Sequence, residues 1–319
     1  MTKDFAKGEV IFRERDNGDC FYDVKKGTIG IFSDYGTDDE QQISLVEEGH
    51  ILGEMALVDA FPRSATAVAL TDVTADEVTV EDMKGFFKNE PERVTHVIQE
   101  LGSKLANLTT NYSEACETLK NMDAVVDKHD ATFGEKITKF VKSYQMTYKS
   151  NKISSETYKT LVQTGHGDGF SKHVDSYREG TIIFKEMEPG RCMYDIHTGT
   201  VNIYTGYGTP EERLLTTLGS NKFFGEIGLL GNTNRTATAV VASDGTIIET
   251  ISMDDFEELY QKNPGKIEML IKHMASRIRL LTNDYVDACQ LIYEYREAEE
   301  KGFIPETIKE RVKAYRSLY

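Results

Sequence analysis

Residues 5–37 read FAKGEVIFRERDNGDCFYDVKKGTIGIFSDYGT, and residues 177–209 read YREGTIIFKEMEPGRCMYDIHTGTVNIYTGYGT. One constant offset joins Gly8 to Gly180, Phe12 to Phe184, Gly18 to Gly190, Cys20 to Cys192, Tyr22 to Tyr194 and Gly27 to Gly199. The same offset carries Gly53-Glu54 onto Gly225-Glu226 and Arg63 onto Arg235. Beyond a single inserted residue, Pro91 matches Pro264, Tyr112 matches Tyr285 and Cys116 matches Cys289. A chain that repeats itself over such a length holds two copies of one folding unit.

Each copy opens with short segments rich in Val, Ile, Phe and Tyr, such as Val10–Phe12, Phe21–Val24 and Thr28–Phe32, separated by turns such as Ser33-Asp34-Tyr35-Gly36 and Thr205-Gly206-Tyr207-Gly208. Many short strands with frequent turns predict a β-sandwich or jelly roll. Thr79-Val80-Glu81-Asp82 and Ser252-Met253-Asp254-Asp255 fit a capping box with Asp in the last place, so a helix follows the strands. Pro91 and Pro264 stand where a second, longer helix begins. In that helix the apolar positions of the first copy are Val94, Ile98, Leu101, Leu105, Leu108, Tyr112, Ala115 and Leu119. Those of the second are Ile267, Ile271, Met274, Ile278, Leu281, Tyr285, Ala288 and Ile292, at identical spacing. The alternation of four and three is a heptad seam. It predicts that the long helices pair, either within the chain as a pseudo-dimer or between chains in a homodimer. Phe133–Tyr148 has helical periodicity, and Gly165-His166-Gly167-Asp168-Gly169 reads as a plain connecting loop. Residues 310–315, ERVKAY, echo residues 139–144, KFVKSY.

The composition limits the function classes. With 319 residues there is room for two domains. Hydrophobic residues make up 39% and charged residues 28%, with no apolar run long enough for a membrane span and no signal-peptide core at Met1–Phe5. A cytoplasmic, membrane-free protein is the expectation. The net charge of -16 disfavours a nucleic-acid partner. The four cysteines form two repeat-equivalent pairs, which predicts packing roles and free thiols rather than a bridge or a metal site. The seven histidines show no metal-ligand spacing, and no Ser-His-Asp or Cys-His grouping stands out, so no catalytic residues are assigned and the chain reads as a non-enzyme.

The chemistry concentrates in residues 53–67, GEMALVDAFPRSATA, and 225–239, GEIGLLGNTNRTATA. A short helix after Gly53 or Gly225 would present free N–H groups to an anion, and the glycine would let a ligand approach the backbone. Arg63 and Arg235 offer a planar, permanently charged fork for phosphate oxygens. Glu54 and Glu226 would accept hydrogen bonds, for instance from a sugar hydroxyl.

This segment resembles the phosphate-binding cassette of the cyclic-nucleotide-binding domain family, which includes the catabolite activator protein and kinase regulatory subunits. The similarity spans about residues 5–119 and 177–292. It implies an α+β fold of two tandem β-jelly-roll cyclic-nucleotide-binding domains, each followed by its heptad-patterned helix. The expected division is domain 1 at 1–119, a helical linker at 120–172, domain 2 at 173–292 and a helical tail at 293–319. It places the ribose 2′-hydroxyl contact on Glu54 and Glu226 and the cyclic phosphate contact on Arg63 and Arg235. The backbone of Gly53, Met55 and Ala56, and of Gly225, Ile227 and Gly228, with the hydroxyl of Ser64 or Thr236, would complete the cradle. Thr109 and Thr282 are the nearest candidates to touch the base. Leu52 stands where many members carry an aromatic, which Phe224 keeps, and Asn234 replaces the proline found at Pro62. The implied ligand is cyclic AMP first and cyclic GMP second, with no other cofactor. The implied role is a stand-alone two-site allosteric sensor acting on an unknown downstream protein. Tyr293–Tyr319 is too short for a winged helix-turn-helix, so a transcription regulator is the lesser alternative, beside a ligand-free scaffold that keeps the fold.

Overall fold

The structure is a computed structural model that describes residues 1–38, 40–53, 61–79, 81–90, 92–122, 135–141, 173–231 and 233–318. The first copy supplies β1 (Thr2–Phe5), β2 (Val10–Phe12), β3 (Asn17–Gly18), β4 (Cys20–Lys26), β5 (Thr28–Ser33), β6 (Gln41–Glu47), β7 (Ile51–Leu52), β8 (Phe61–Pro62), β9 (Thr66–Ala69) and β10 (Val73–Thr79). Helices α1 (Met83–Asn89), α2 (Glu92–Asn121) and α3 (135–141) follow. The second copy supplies β11 (Val174–Tyr177), β12 (Ile182–Phe184), β13 (Met193–Thr198), β14 (Val201–Thr205), β15 (Arg213–Leu218), β16 (Phe223–Phe224), α4 (Glu226–Leu230), β17 (Thr238–Val241) and β18 (Thr246–Ile251). It ends with α5 (Phe256–Lys262), α6 (Pro264–Glu300) and α7 (Glu306–Leu318).

Each copy is an antiparallel sandwich of two four-stranded sheets. The orders are β1-β10-β4-β7 and β2-β9-β5-β6 in the first, β11-β18-β13-β16 and β12-β17-β14-β15 in the second. Alternate residues point inward, so Tyr22, Val24 and Ala75 of one sheet meet Ile29, Ala67 and Ala69 of the other. Tyr194, Ile196 and Ile248 meet Val201, Ala239 and Val241 in the second copy. The β4–β5 and β13–β14 turns need glycine. Gly27 and Gly199 have φ of 94° and 89°, and a Cβ there would lie 2.4 Å from Asp72 O or 2.2 Å from Thr246 Oγ1.

The chain forms two compact units, and their boundary falls inside both long helices, between Asn107 and Leu108 and between Ala275 and Ser276. In the unit that holds the first β domain, the later turns of both helices share one buried cluster. Ala115, Leu119 and Met122 meet Ala288, Cys289, Leu291, Ile292 and Tyr295, joined by Phe140 of α3 and Val312 of α7. Tyr112 and Tyr285 flank it, and Tyr295 Oη donates to Met122 O at 3.2 Å. Tyr112, Ala115, Leu119, Tyr285, Ala288 and Ile292 are the last positions of the two heptad seams. None of the four cysteines is in a disulfide, and burial pushes the Cys289 thiol up to about 12. Helix α6 outruns its seam and continues from Ile292 to Glu300, because nothing breaks it before Gly302 at φ 78°. Arg296–Glu300 and Lys301–Glu297 pairs stitch that extension. The second capping box forms: the Asp255 carboxylate accepts from Ser252 N at 2.8 Å and from Ser252 Oγ at 2.6 Å. The loop at residues 165–169, and residues 142–148 of the predicted linker helix, lie outside the described residues.

In the other unit, His273 of α6 packs its ring 5.7 Å from that of Phe223. Burial and the Lys222 ammonium push its imidazole down to about 4 from the usual 6.5. The unfolded chain therefore takes up this proton near pH 6.5 and the folded chain only near pH 4, so stability falls as pH drops through that window. In thermal melts, His273→Gln should lose less of its midpoint between neutral pH and pH ~5 than the unmodified chain does. The buried cluster makes a second forecast. With Cys116 and Cys289 changed to Ser, cysteines placed at Ala115 and Ala288 should cross-link on oxidation at monomer mass on a denaturing gel, not at twice that mass.

Candidate ligand-binding site

The cassette of the second copy is described throughout except at residue 232. Strand β16 ends at Phe224, and Gly225 turns the backbone left-handed at φ 75° to start α4. A Cβ on Gly225 would lie 2.8 Å from Arg235 Nη1, so glycine is required by both conformation and space. All five residues of α4 are buried, with Glu226 at 0% exposure. Gly228 passes against Gly190, where a Cβ would come within 2.4 Å of Gly228 Cα.

Arg235 is the keystone of this region. Its backbone N donates to Glu188 O at 2.7 Å and its O accepts from Met187 N at 2.9 Å, which fixes the chain entering β17. Its Nη1 donates to Gly225 O at 2.6 Å and its Nη2 to Cys192 O at 2.7 Å. The guanidinium carbon lies 4.2 Å over Phe184 and 5.6 Å from the Tyr194 ring. Phe224 closes the aromatic group, 5.0 Å from Tyr194 and 5.9 Å from Phe184. The side chain is 3% exposed, and its Nε is buried with no hydrogen-bond partner among the described residues. Burial and the Cys192 thiol hold the Tyr194 phenol above its usual range. Thr236, next in the chain, is exposed.

The first copy repeats this arrangement wherever it is described. Gly53 is left-handed at φ 79°, and a Cβ there would lie 2.4 Å from Arg63 Nη1. Arg63 donates to Gly53 O at 3.2 Å and Cys20 O at 2.7 Å, and its guanidinium carbon lies 4.2 Å over Phe12. Ser64 is exposed, as Thr236 is. Phe12 stacks on Tyr22 at 6.2 Å, but Leu52 stands where the second copy has Phe224, so the third ring is missing. Glu54, Met55 and Ala56 lie outside the described residues. Thr109 and Thr282 sit partly buried on α2 and α6, and the Thr282 hydroxyl donates to Ile278 O of its own helix at 2.7 Å.

The sequence singles out Gly53, Arg63, Gly225, Glu226 and Arg235 but not what holds the arginines. The signal was present in the repeated pairs Phe12/Phe184 and Cys20/Cys192, whose rings and carbonyls receive the guanidinium. Nor does the sequence single out a second polar cluster. Asp195 and His197 on β13, Glu249 on β18 and Lys266 at the start of α6 converge. His197 Nε2 lies 2.8 Å from Glu249 Oε2, and Lys266 Nζ lies 2.7 Å from Asp195 Oδ2 and also pairs with Glu249. The Asp195, His197 and Glu249 ligand atoms lie within 4.8 Å of one another, a spacing that suits a cation, and the Lys266 ammonium supplies one. Because the partners come from paired strands and a helix, their spacing along the chain carries no sign of it.

The family model described as the cyclic nucleotide-binding domain matches residues 2–90 and 174–263, once on each sandwich. A cAMP-dependent protein kinase regulatory subunit from Debaryomyces hansenii is 26% identical over 81% of this chain and 44% of its own length. The cGMP-dependent protein kinase egl-4 of Caenorhabditis elegans is 21% identical over 91% of this chain and 30% of its own length. The chain thus spans less than half the length of these curated relatives. A solved structure of cAMP-bound PfPKA-R is 19% identical, covers 97% of this chain and 83% of its own, and has a TM-score of 0.32. Among the described residues, no helix is long and apolar enough to cross a membrane. With the family model matched on both copies, the chain belongs to the cyclic nucleotide-binding domain family, as a tandem pair of its domains.

Proposed function

We propose that both cassettes bind a cyclic nucleotide and that the chain acts as a non-catalytic regulatory protein whose output passes to a downstream protein. One observation carries the reading: in each copy a buried arginine is held at the left-handed glycine of the repeated motif by the chain's own carbonyls. Fixed orientation lowers the entropy cost of gripping an anion. The buried Nε of Arg235 has no hydrogen-bond partner among the described residues, and a buried cationic donor in that state calls for an anionic acceptor. Glu226 would take the ribose hydroxyl, and Glu54 would do so in the first copy. The backbone of Gly225, Ile227 and Gly228, and of Gly53, Met55 and Ala56, with the Thr236 or Ser64 hydroxyl, would complete each phosphate cradle. Cyclic AMP is the first choice and cyclic GMP the second, and relatives named for each nucleotide are similar to this chain. Thr109 and Thr282 are the proposed base contacts; with its proton given to Ile278 O, the Thr282 hydroxyl would serve as an acceptor. The domain limits 1–119 and 173–292 belong to this reading, as does a cytoplasmic setting.

A second reading, a fold retained without a ligand, is favoured by one fact: the terminal nitrogens of both arginines already donate to backbone carbonyls. Calorimetry decides between the two. Removing one partner of a desolvated charged pair costs about 2–5 kcal/mol. Arg63→Ala and Arg235→Ala should therefore each weaken one site by about 30-fold or more. The double variant should show no measurable cyclic AMP or cyclic GMP binding. Wild-type affinity in the double variant overturns the role given to the arginines, and an unmodified chain that binds neither nucleotide supports the ligand-free reading.

A further inference from the structure

Helix α2 belongs to the first copy, yet its residues up to Asn107 lie in the compact unit of the second β domain. What they meet there is α4. A Cβ added to Gly102 would lie 2.0 Å from Leu230 Cβ, and one added to Gly231 would lie 2.5 Å from Ala106 Cβ. Gly102 and Ala106 are one helical turn apart, so two small residues on one face of α2 let the backbones close to contact. In the same unit, Phe87 of α1 packs edge-on against Tyr260 of α5 at 6.0 Å.

The cassette held under this crossing is shut. Glu226 is 0% exposed and Arg235 3% exposed, and the arginine fork is closed on Gly225 O and Cys192 O. A ligand that is to touch both side chains reaches neither until α4 shifts. We propose that α2 of the first copy straps the second cassette shut, with Gly102 and Ala106 bearing on Leu230 and Gly231, so that site 2 opens only as α4 parts from α2. Gly102 and Ala106 are positioning residues: they act on the ligand groups through α4. A site that is competent only part of the time binds with an affinity reduced by that fraction, so loosening the strap raises the affinity of site 2. The nucleotide arm of this inference rests on the function proposed above, whereas the strap itself does not.

The test uses the full chain with Gly102→Ala, Leu230→Gly and the pair together. Alanine is the better helix former, so the first change leaves α2 itself intact while pushing on Leu230. Leu230→Gly removes the atom that the new methyl meets. Hydrogen exchange read by mass spectrometry over residues 226–231 should speed up by about tenfold or more in Gly102→Ala, and also in Leu230→Gly. Adding Gly102→Ala to Leu230→Gly should change nothing further, because the two act through one contact. In an Arg63→Ala background, where only site 2 reports, Gly102→Ala should tighten cyclic AMP binding by about three- to tenfold. Unchanged or slower exchange in Gly102→Ala overturns the strap, and so does faster exchange accompanied by weaker binding. Faster exchange with no nucleotide bound by any variant upholds the strap and overturns the function proposed for the site.

Discussion

The apolar stripe on the two long helices is the constraint on which the rest of this structure hangs. Neither stripe is stable in water, and each is too long for one partner. The 30-residue α2 and the 37-residue α6 each contribute to both compact units. The later turns of both helices satisfy the stripe together, around Ala115, Leu119, Ala288 and Ile292. In the earlier turns of α2, Gly102 and Ala106, beside the stripe rather than in it, pack on the second cassette at Leu230 and Gly231. Small residues stand where backbones must meet, and large ones stand where space must be filled.

Within each sandwich the arginine does for the cassette what the stripe does for the helices. It is a buried charge, and burial of a charge is tolerated only when its hydrogen bonds are supplied. Arg235 draws on Gly225 and Cys192, and Arg63 on Gly53 and Cys20, so one side chain ties three separate stretches of chain together. The guanidinium rests on an aromatic face in both copies, Phe184 or Phe12. The group therefore serves the architecture of each cassette, and the left-handed glycine beside it is fixed by the space the arginine takes.

How much of this could be read from the chain depends on how far apart the partners are in sequence. The constant offset exposed the duplication, and the turn glycines and alternating strands followed from local chemistry. The arginine, the glutamate and their glycine were legible because they sit together within a few residues. The second carbonyl on each arginine, from Cys20 or Cys192, comes from some forty residues away, and only the repetition of that cysteine in both copies hints at it. The Lys266 cluster is assembled by the pairing of β13 with β18 and by the docking of a helix, neither of which spacing records. The seam reading found the shared cluster at Tyr112, Ala115, Tyr285 and Ala288. It stopped at Ile292, because the next turns of α6 are held by surface ion pairs and α7 rather than by heptads.

The missing third ring of the first site has an evolutionary consequence. In an assembly of two identical chains, every substitution is made twice, and both sites must accept it. Here the equivalent sites are encoded separately, and they have already diverged, with Leu52 at one guanidinium cage and Phe224 at the other. Duplication inside one polypeptide removes the symmetry that would hold them equal. The two cages are free to drift apart, one packing three rings and the other two.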